Sequence, residues 1–349
     1  MESEKVALVH KDPRSVRKGL EMSLKIGFIG AGGIAGAHVA GLRKMADVQL
    51  VAFSDVQEER AARLAADTGA KVFTDWLKML DTEQMDAVYI CVPPHVHGAP
   101  ELACVERKLP FFVEKPISND LDTATNILGK VRRAKVMTAV GYMNRYRRSL
   151  QRGKELLAGA RISTLEGHWL GGTPGAPWWY RKAQSGGQLV EQTTHIVDAI
   201  VYLAGRVTEV YAVGARGTHA DPPEGYDVED ATAVTLKFAS GAVGSINSAC
   251  SLKAGGGVGL DVFSPSVVLS YRDWNMSLKA TKSRLETEDV RGEDNIFEIE
   301  DRAFVEAVMK KDPALIRCNY GQAFHAHHVT MAANRSLETG MPVQLADFV

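Results

Sequence analysis

The sequence predicts an α/β chain in two parts. A doubly wound parallel sheet occupies residues 24–145, and an α+β unit with a mostly antiparallel open sheet occupies residues 146–349. Three observations predict this. An apolar run from Ile26 to Ile29 breaks into a glycine cluster and resumes with helical periodicity through Ile34, His38, Val39 and Leu42. Short apolar runs and helical stretches then alternate as far as Gly141, the rhythm of parallel strands joined by crossover helices. Beyond Tyr142 the rhythm changes, and strands come to follow one another without helices between them.

At 349 residues the chain exceeds one ordinary core, and its 45% of apolar residues is enough to fill two. A net charge of −1 leaves no basic footprint for nucleic acid. No apolar run is long enough to span a bilayer. The N-terminus, with Lys5, Asp12, Arg14, Arg17 and Lys18, lacks the apolar centre of a signal peptide. Cys91, Cys104, Cys250 and Cys318 are scattered and form no C-x-x-C pair, which predicts free thiols in a reducing, cytoplasmic setting and no zinc site. Met22 directly precedes the first strand, so residues 1–23 read as an extension to the fold.

The glycine cluster reads G-x-G-x-x-A on Gly30, Gly32 and Ala35. Gly30 permits the turn, and Gly32 with Gly33 lets backbone approach a pyrophosphate. Ala35 keeps the helix close to the strand, while the helix N-terminus faces the anion. A second apolar run, Val48 to Phe53, ends at Asp55, whose carboxylate can take both adenosine ribose hydroxyls and repels a 2'-phosphate. Turn and carboxylate in register predict a Rossmann domain that prefers NAD over NADP, with Gly30, Gly32, Gly33, Ile34 and Asp55 against the cofactor.

A helix with Ala61, Leu64 and Ala65 on one face stops at Gly69, and a short strand follows at Val72 to Phe73. Thr74-Asp75 can cap the helix of Trp76, Leu77 and Leu80. The continuous apolar run Ala87 to Val92 reads as a strand buried on both faces, ending in Pro93-Pro94-His95-Val96-His97. A helix near Gly98 to Arg107 leads to Phe111–Val113 and then Glu114-Lys115-Pro116. Ligands of open parallel sheets bind beyond the carboxyl ends of the strands. Pro93, His95, Glu114 and Lys115 are therefore placed where a nicotinamide would lie. A helix from about Leu121 to Arg133 and a strand from Val136 to Gly141 complete this part.

The second part begins with a helix near Arg148 to Leu157, a strand near Arg161 to Gly167, and a loop from His168 to Tyr180 holding Trp169, Trp178 and Trp179. Gly186-Gly187 opens a helical stretch from Leu189 to Leu203 that ends at Gly205. Glu191, His195 and Asp198 stand at i, i+4 and i+7, which puts all three on one helical face. An acid, a base and a nearby lysine suit the movement of an alcohol proton. Ala231 to Phe238 and Val243 to Ala249 alternate as a hairpin with one covered face. Their other face carries Ala, Val, Thr and Ser rather than a wall of charge, which predicts a homodimer or homotetramer through this sheet. Helices near Ile296 to Met309 and Gln322 to Thr339 close the chain.

From Leu24 on, the sequence resembles the glucose-fructose oxidoreductase, inositol dehydrogenase and rhizopine catabolism (Gfo/Idh/MocA) family. The likeness rests on the glycine turn followed by His38, on Pro93-Pro94 with His97, and on Glu114-Lys115-Pro116. Gly141-Tyr142 with Arg145-Tyr146, the Gly-Gly to His-x-x-Asp stretch, and a closing helix and strand over Ser336 to Leu345 extend it. The resemblance implies an NAD(P)-dependent dehydrogenase or reductase acting on a CH–OH group of a sugar, sugar derivative or cyclitol. Lys115 would bond the reacting hydroxyl, His195 would be the general acid/base, and the Lys115-Pro116 bond would be cis. Glu191 stands where inositol-dehydrogenase-like members have Asp, a departure that bears on the substrate. Expected substrate contacts are Lys115, Arg145, Trp178, Glu191 and His195. Stacking on a sugar ring and packing in a core account equally well for the tryptophans. No metal is expected, because His38, His95, His97, His325, His327 and His328 lack a ligand set. Two other readings stay open: a non-catalytic dinucleotide-binding regulator, and an oxidoreductase that never releases its nucleotide.

Overall fold

The computed structural model describes residues 23–348, so all but Ser23 of the expected N-terminal extension lies outside the described residues. Six parallel strands build the first sheet: β1 (Leu24–Ile29), β2 (Val48–Ser54), β3 (Lys71–Phe73), β4 (Ala87–Ile90), β5 (Phe111–Val113) and β6 (Thr138–Val140). Their order, β3-β2-β1-β4-β5-β6, reverses direction between β1 and β4, and the crevice at that switch point opens at the carboxyl edge. The crossovers are α1 (Gly33–Leu42), α2 (Glu58–Ala65), α3 (Trp76–Thr82), α4 (Ala99–Glu106) and α5 (Leu121–Ala134). Asp75 caps α3 as its sequence position suggests, accepting from the backbone N–H groups of Leu77 and Lys78.

The second sheet has nine strands: β7 (Thr164–Leu170), β8 (Val207–Ala215), β9 (Ala231–Phe238), β10 (Val243–Ala249), β11 (Gly257–Phe263), β12 (Val268–Arg272), β13 (Ser277–Ser283), β14 (Glu286–Val290) and β15 (Val343–Gln344). All neighbours run antiparallel except β7 and β10, which pair in parallel. Its helices are α6 (Arg148–Leu156), α7 (Lys182–Ser185), α8 (Gln188–Glu191), α9 (Thr194–Ala204), α10 (Ile296–Lys310) and α11 (Tyr320–Thr339). The inner face, with Val234, Leu236 and Ile246, is buried against α9 and α11. The outer face of β8 to β10 leaves Tyr211, Val213 and Val243 exposed.

Three local readings change in three dimensions. The strand expected at Arg161 to Gly167 lies three residues later, so Trp169 belongs to β7 and alternates inward rather than sitting in a loop. The helix expected over Leu189 to Leu203 is two helices, with the chain loosening at Gln192, where the Thr193 N–H reaches back to the Gln188 carbonyl (3.0 Å). Lateral anchors hold this break. Gln188 Nε2 donates to the Ala249 carbonyl at 2.9 Å, and the Thr193 and Ser248 hydroxyls bond at 2.9 Å. Finally, α10 crosses the expected division at residue 145 and packs on α1, where Gly41 lets Glu298 and Asp301 come close.

Candidate active site

One cleft of about 940 Å³ runs along the carboxyl edge of the first sheet, from the glycine turn and Asp55 to His195 and Trp274 on the second unit. At its nucleotide end Gly30 has φ +89, and a Cβ there would stand 2.2 Å from the Cys91 carbonyl, so only glycine fits. At Gly32 and Gly33 a Cβ would meet nothing within 4 Å. Bare backbone and the start of α1 therefore face open space, as an approaching pyrophosphate requires. Asp55 leaves β2 and is tethered by both oxygens, accepting from the N–H groups of Ala31 (2.9 Å) and Gln57 (2.9 Å). The carboxylate is thus held at the cleft edge beside Arg60 and Arg63. Ile34, Pro93 and His95 line the same wall. These residues fit an NAD-type cofactor.

Lys115 stands two residues after β5, is joined to Pro116 by a cis bond, and enters the cleft from the first sheet, while α8 and α9 enter from the second unit. Lys115 Nζ donates to Glu191 Oε1 (2.7 Å) and to the Glu191 carbonyl (2.8 Å), which leaves one of its three N–H bonds free of protein partners. The other Glu191 oxygen accepts from Trp179 Nε1 at 2.6 Å. In the sequence Trp179 is one of three tryptophans in one stretch, with no local feature that singles it out. Its indole is almost fully buried against Val228 and Cys250 and acts as a fixed donor to the acid. The extra methylene that distinguishes Glu191 from an aspartate gives the reach to join Lys115 and Trp179 at once.

His195 lies 5% exposed at the cleft wall, stacked on Trp169 with ring centroids 5.8 Å apart and 19° between planes. Burial, then the charges of Lys115 and Arg147, hold its imidazole well below the usual histidine value, so it is a neutral base near pH 7. Its Nδ1 is buried and has no hydrogen-bond partner among the described residues. That leaves Nε2 as the nitrogen able to take a proton from a ligand.

Two expectations need correction. Arg145, expected at the substrate, is buried away from the cleft. Its guanidinium forks onto Asp198, with Nε and Nη2 donating at 2.9 and 2.7 Å, and Nη1 reaches the Arg317 carbonyl. Asp198 is consequently a structural partner: Glu191 and His195 both line the cleft, across the break that separates α8 from α9, while Asp198 is engaged by Arg145. Trp178 does line the cleft.

Glu114 reaches the cleft floor, and its carboxylate is engaged beneath it. His38 Nε2 bonds Glu114 Oε1 at 3.0 Å and His38 Nδ1 bonds Asp301 Oδ1 at 2.7 Å, with the Tyr89 hydroxyl donating to the same Asp301 oxygen at 3.1 Å. Burial opposes charge on His38, but the Asp301 and Glu114 carboxylates outweigh it and raise the imidazole well above its usual value. An imidazolium clamped between two carboxylates thus links α1, α10 and the segment carrying Lys115. Gly141 belongs to this arrangement, since a Cβ there would stand 2.3 Å from Glu114 Oε1. The long sequence separation between Asp301 and His38 hid the cluster from the sequence.

The model described as an oxidoreductase family with an NAD-binding Rossmann fold matches residues 24–142, and the GFO/IDH/MocA C-terminal domain matches residues 158–264. An oxidoreductase of Bacillus subtilis, YrbE, is 30% identical across 91% of this chain and 96% of its own length. This chain belongs to the Gfo/Idh/MocA oxidoreductase family. Among other family members, the myo-inositol 2-dehydrogenase of Thermotoga maritima is 30% identical over 64% of this chain and 68% of its own. Similar folds include levoglucosan dehydrogenase in complex with NADH and levoglucosan, with 20% identity, 93% and 99% coverage and TM-score 0.82. GenD2 from gentamicin A biosynthesis, in complex with NAD, has 22% identity, 92% and 96% coverage and TM-score 0.79. No group of three or more potential metal ligands occurs among the described residues, and none of the described helices is long and apolar enough to cross a membrane.

Proposed function

We propose that this Gfo/Idh/MocA protein is an NAD-dependent dehydrogenase or reductase that moves hydride between the nicotinamide and a secondary alcohol or ketone of a sugar, sugar derivative or cyclitol. The observation that carries the proposal is the convergence of the Lys115–Glu191 pair and His195 on a cleft whose other end is the glycine turn and Asp55. When bound, the cofactor supplies the hydride chemistry; the chain binds, orients and manages one proton. Gly30, Gly32 and Gly33 offer backbone to the pyrophosphate, and Asp55 offers its carboxylate to the adenosine ribose. In oxidation, His195 Nε2 takes the hydroxyl proton, and the free N–H of Lys115 is directed at the oxygen that gains charge. Glu191 fixes Lys115 by two contacts, and Trp179 fixes Glu191. The Glu114–His38–Asp301 clamp steadies the backbone from which Lys115 projects.

An acid/base pair beside the nicotinamide position is superfluous in a regulator, which favours the enzyme reading. The test separates binding from turnover. Lys115→Met and His195→Asn should lower kcat by a factor of about 10² to 10⁴ while NAD still binds, because both groups act on charge that develops only during reaction. Retention of most turnover by His195→Asn would refute this assignment.

A further inference from the structure

Trp274 extends the cleft beyond the reacting groups. It sits on the turn between β12 and β13, lines the cleft, and is still 49% exposed. That turn is strongly determined. Asp273 (φ 66) and Met276 (φ 49) are non-glycine residues held in left-handed backbone, and such strain persists only where the surroundings enforce it. The fully buried Arg147 guanidinium enforces it by donating to the Trp274 carbonyl at 3.2 Å and the Glu293 carbonyl at 2.6 Å. Met276 plugs the core beneath. A large apolar ring left open to water on so constrained a turn is a presented surface.

Aromatic contacts run inward from there. Trp274 meets Trp169 edge to face at 5.9 Å, and Trp169 stacks on His195 at 5.8 Å, two ring-to-ring steps from the rim to the proposed base. Trp274 thus stands two ring contacts outward of the proposed base, with about half of its surface uncovered. Glu191 already pairs with Lys115, the cleft's two arginines, Arg60 and Arg63, lie by Asp55, and nearby Lys182 is bonded to Glu229 at 2.7 Å. Among the described residues, the one lysine or arginine that lines the substrate end of the cleft is Lys115, which is already paired with Glu191.

We infer that the substrate is an uncharged glycoside whose reacting ring lies at Lys115 and His195 and whose second ring lies on Trp274 and Trp178. Either the C–H face of a sugar or the π face of an aryl group satisfies an indole, so the shared chemistry is a flat, uncharged second ring. This inference rests on the dehydrogenase reading.

The test uses the whole protein with NAD and follows reduced nicotinamide. Free sugars and cyclitols are compared with methyl glycosides, phenyl glycosides, disaccharides, glucuronides and sugar phosphates, in both anomeric forms. A second ring should raise kcat/KM about tenfold or more over the methyl glycoside, the scale of one buried aromatic contact. Trp274→Ala should remove that advantage and Trp274→Phe should keep much of it, with melting curves verifying that both fold. Preference for phenyl glycosides over disaccharides identifies an aryl partner, and the reverse identifies a sugar. Equal turnover of free sugars and extended glycosides overturns the inference while leaving the dehydrogenase reading intact. So does preference for acidic substrates, or loss by Trp274→Ala of the same factor for every substrate. If NAD binds but no alcohol in the panel reduces it, the dehydrogenase reading falls and the glycoside falls with it.

Discussion

Trp179→Phe tests the site's geometry most sharply, because it deletes one hydrogen-bond donor and keeps an aromatic ring in the same pocket. The indole N–H lies 2.6 Å from Glu191 Oε2, and the other carboxylate oxygen is held by Lys115 at 2.7 Å. A hydrogen bond to a charged group contributes about 1.5–3 kcal/mol, so losing it where it aims Lys115 should lower kcat by roughly 10- to 100-fold. NAD affinity should hold, since Trp179 packs on Val228 and Cys250 rather than lining the cleft. Glu191→Asp supplies the control: one methylene shorter, it cannot reach both partners. The double variant should therefore cost little more than the worse single one, as expected for residues acting in one chain. Glu191→Gln should also be impaired, because both partners are donors and an amide offers one acceptor oxygen. The assays are steady-state kcat and KM, NADH binding by fluorescence, and melting temperature. A Trp179→Phe variant within about twofold of the parent in kcat, or losses that simply add, would sink the reasoning.

Asp55→Ser should narrow the preference for NAD over NADP, read by calorimetry with both nucleotides; tighter NADP binding by the unmodified protein would transfer attention to Arg60. For pH, burial and the Lys115 charge depress His195, so the oxidative rate should stay level down to the usual histidine value of 6.5 and fall only well below it. An acid limb centred above 6.5 would contradict His195 as the base. Stability has an acid-sensitive component of its own: buried His327 is pushed down to about 4, so as pH falls from 6.5 the unfolded chain takes up a proton that the native state refuses. That loss should reach on the order of 3 kcal/mol by pH 4 and shrink in His327→Gln, measured as a difference between melting curves, since raised His38 contributes with the opposite sign. Light scattering should show a dimer or tetramer, and Val213→Asp with Val243→Asp on the exposed sheet face should yield monomers; a monomeric parent would end that proposal.

The frame of this protein is legible in local patterns along the chain. The glycine turn, the run of parallel crossovers and the carboxylate at Asp55 are local signals, each fixed by backbone sterics or by a period of two or 3.6 residues, and the strands and helices lie close to where those periods place them. Lys115 was legible because it follows a buried strand at the sheet's carboxyl edge, and His195 because it follows a Gly-Gly opening. What those side chains touch follows from long-range packing. Helical spacing put Glu191, His195 and Asp198 together, but lateral bonds from Gln188 and Thr193 to the second sheet break the helix, sending Asp198 to Arg145 and Glu191 to Lys115 and Trp179. The clamp of His38 by Glu114 and Asp301, the stack of Trp169 on His195 and the indole of Trp274 at the rim join residues far apart in the chain. Contacts of that kind are set by how α10 packs on α1 and how the second sheet closes over the first. Neither leaves a periodic trace, because packing depends on the shape of both partners and periodicity reports only one.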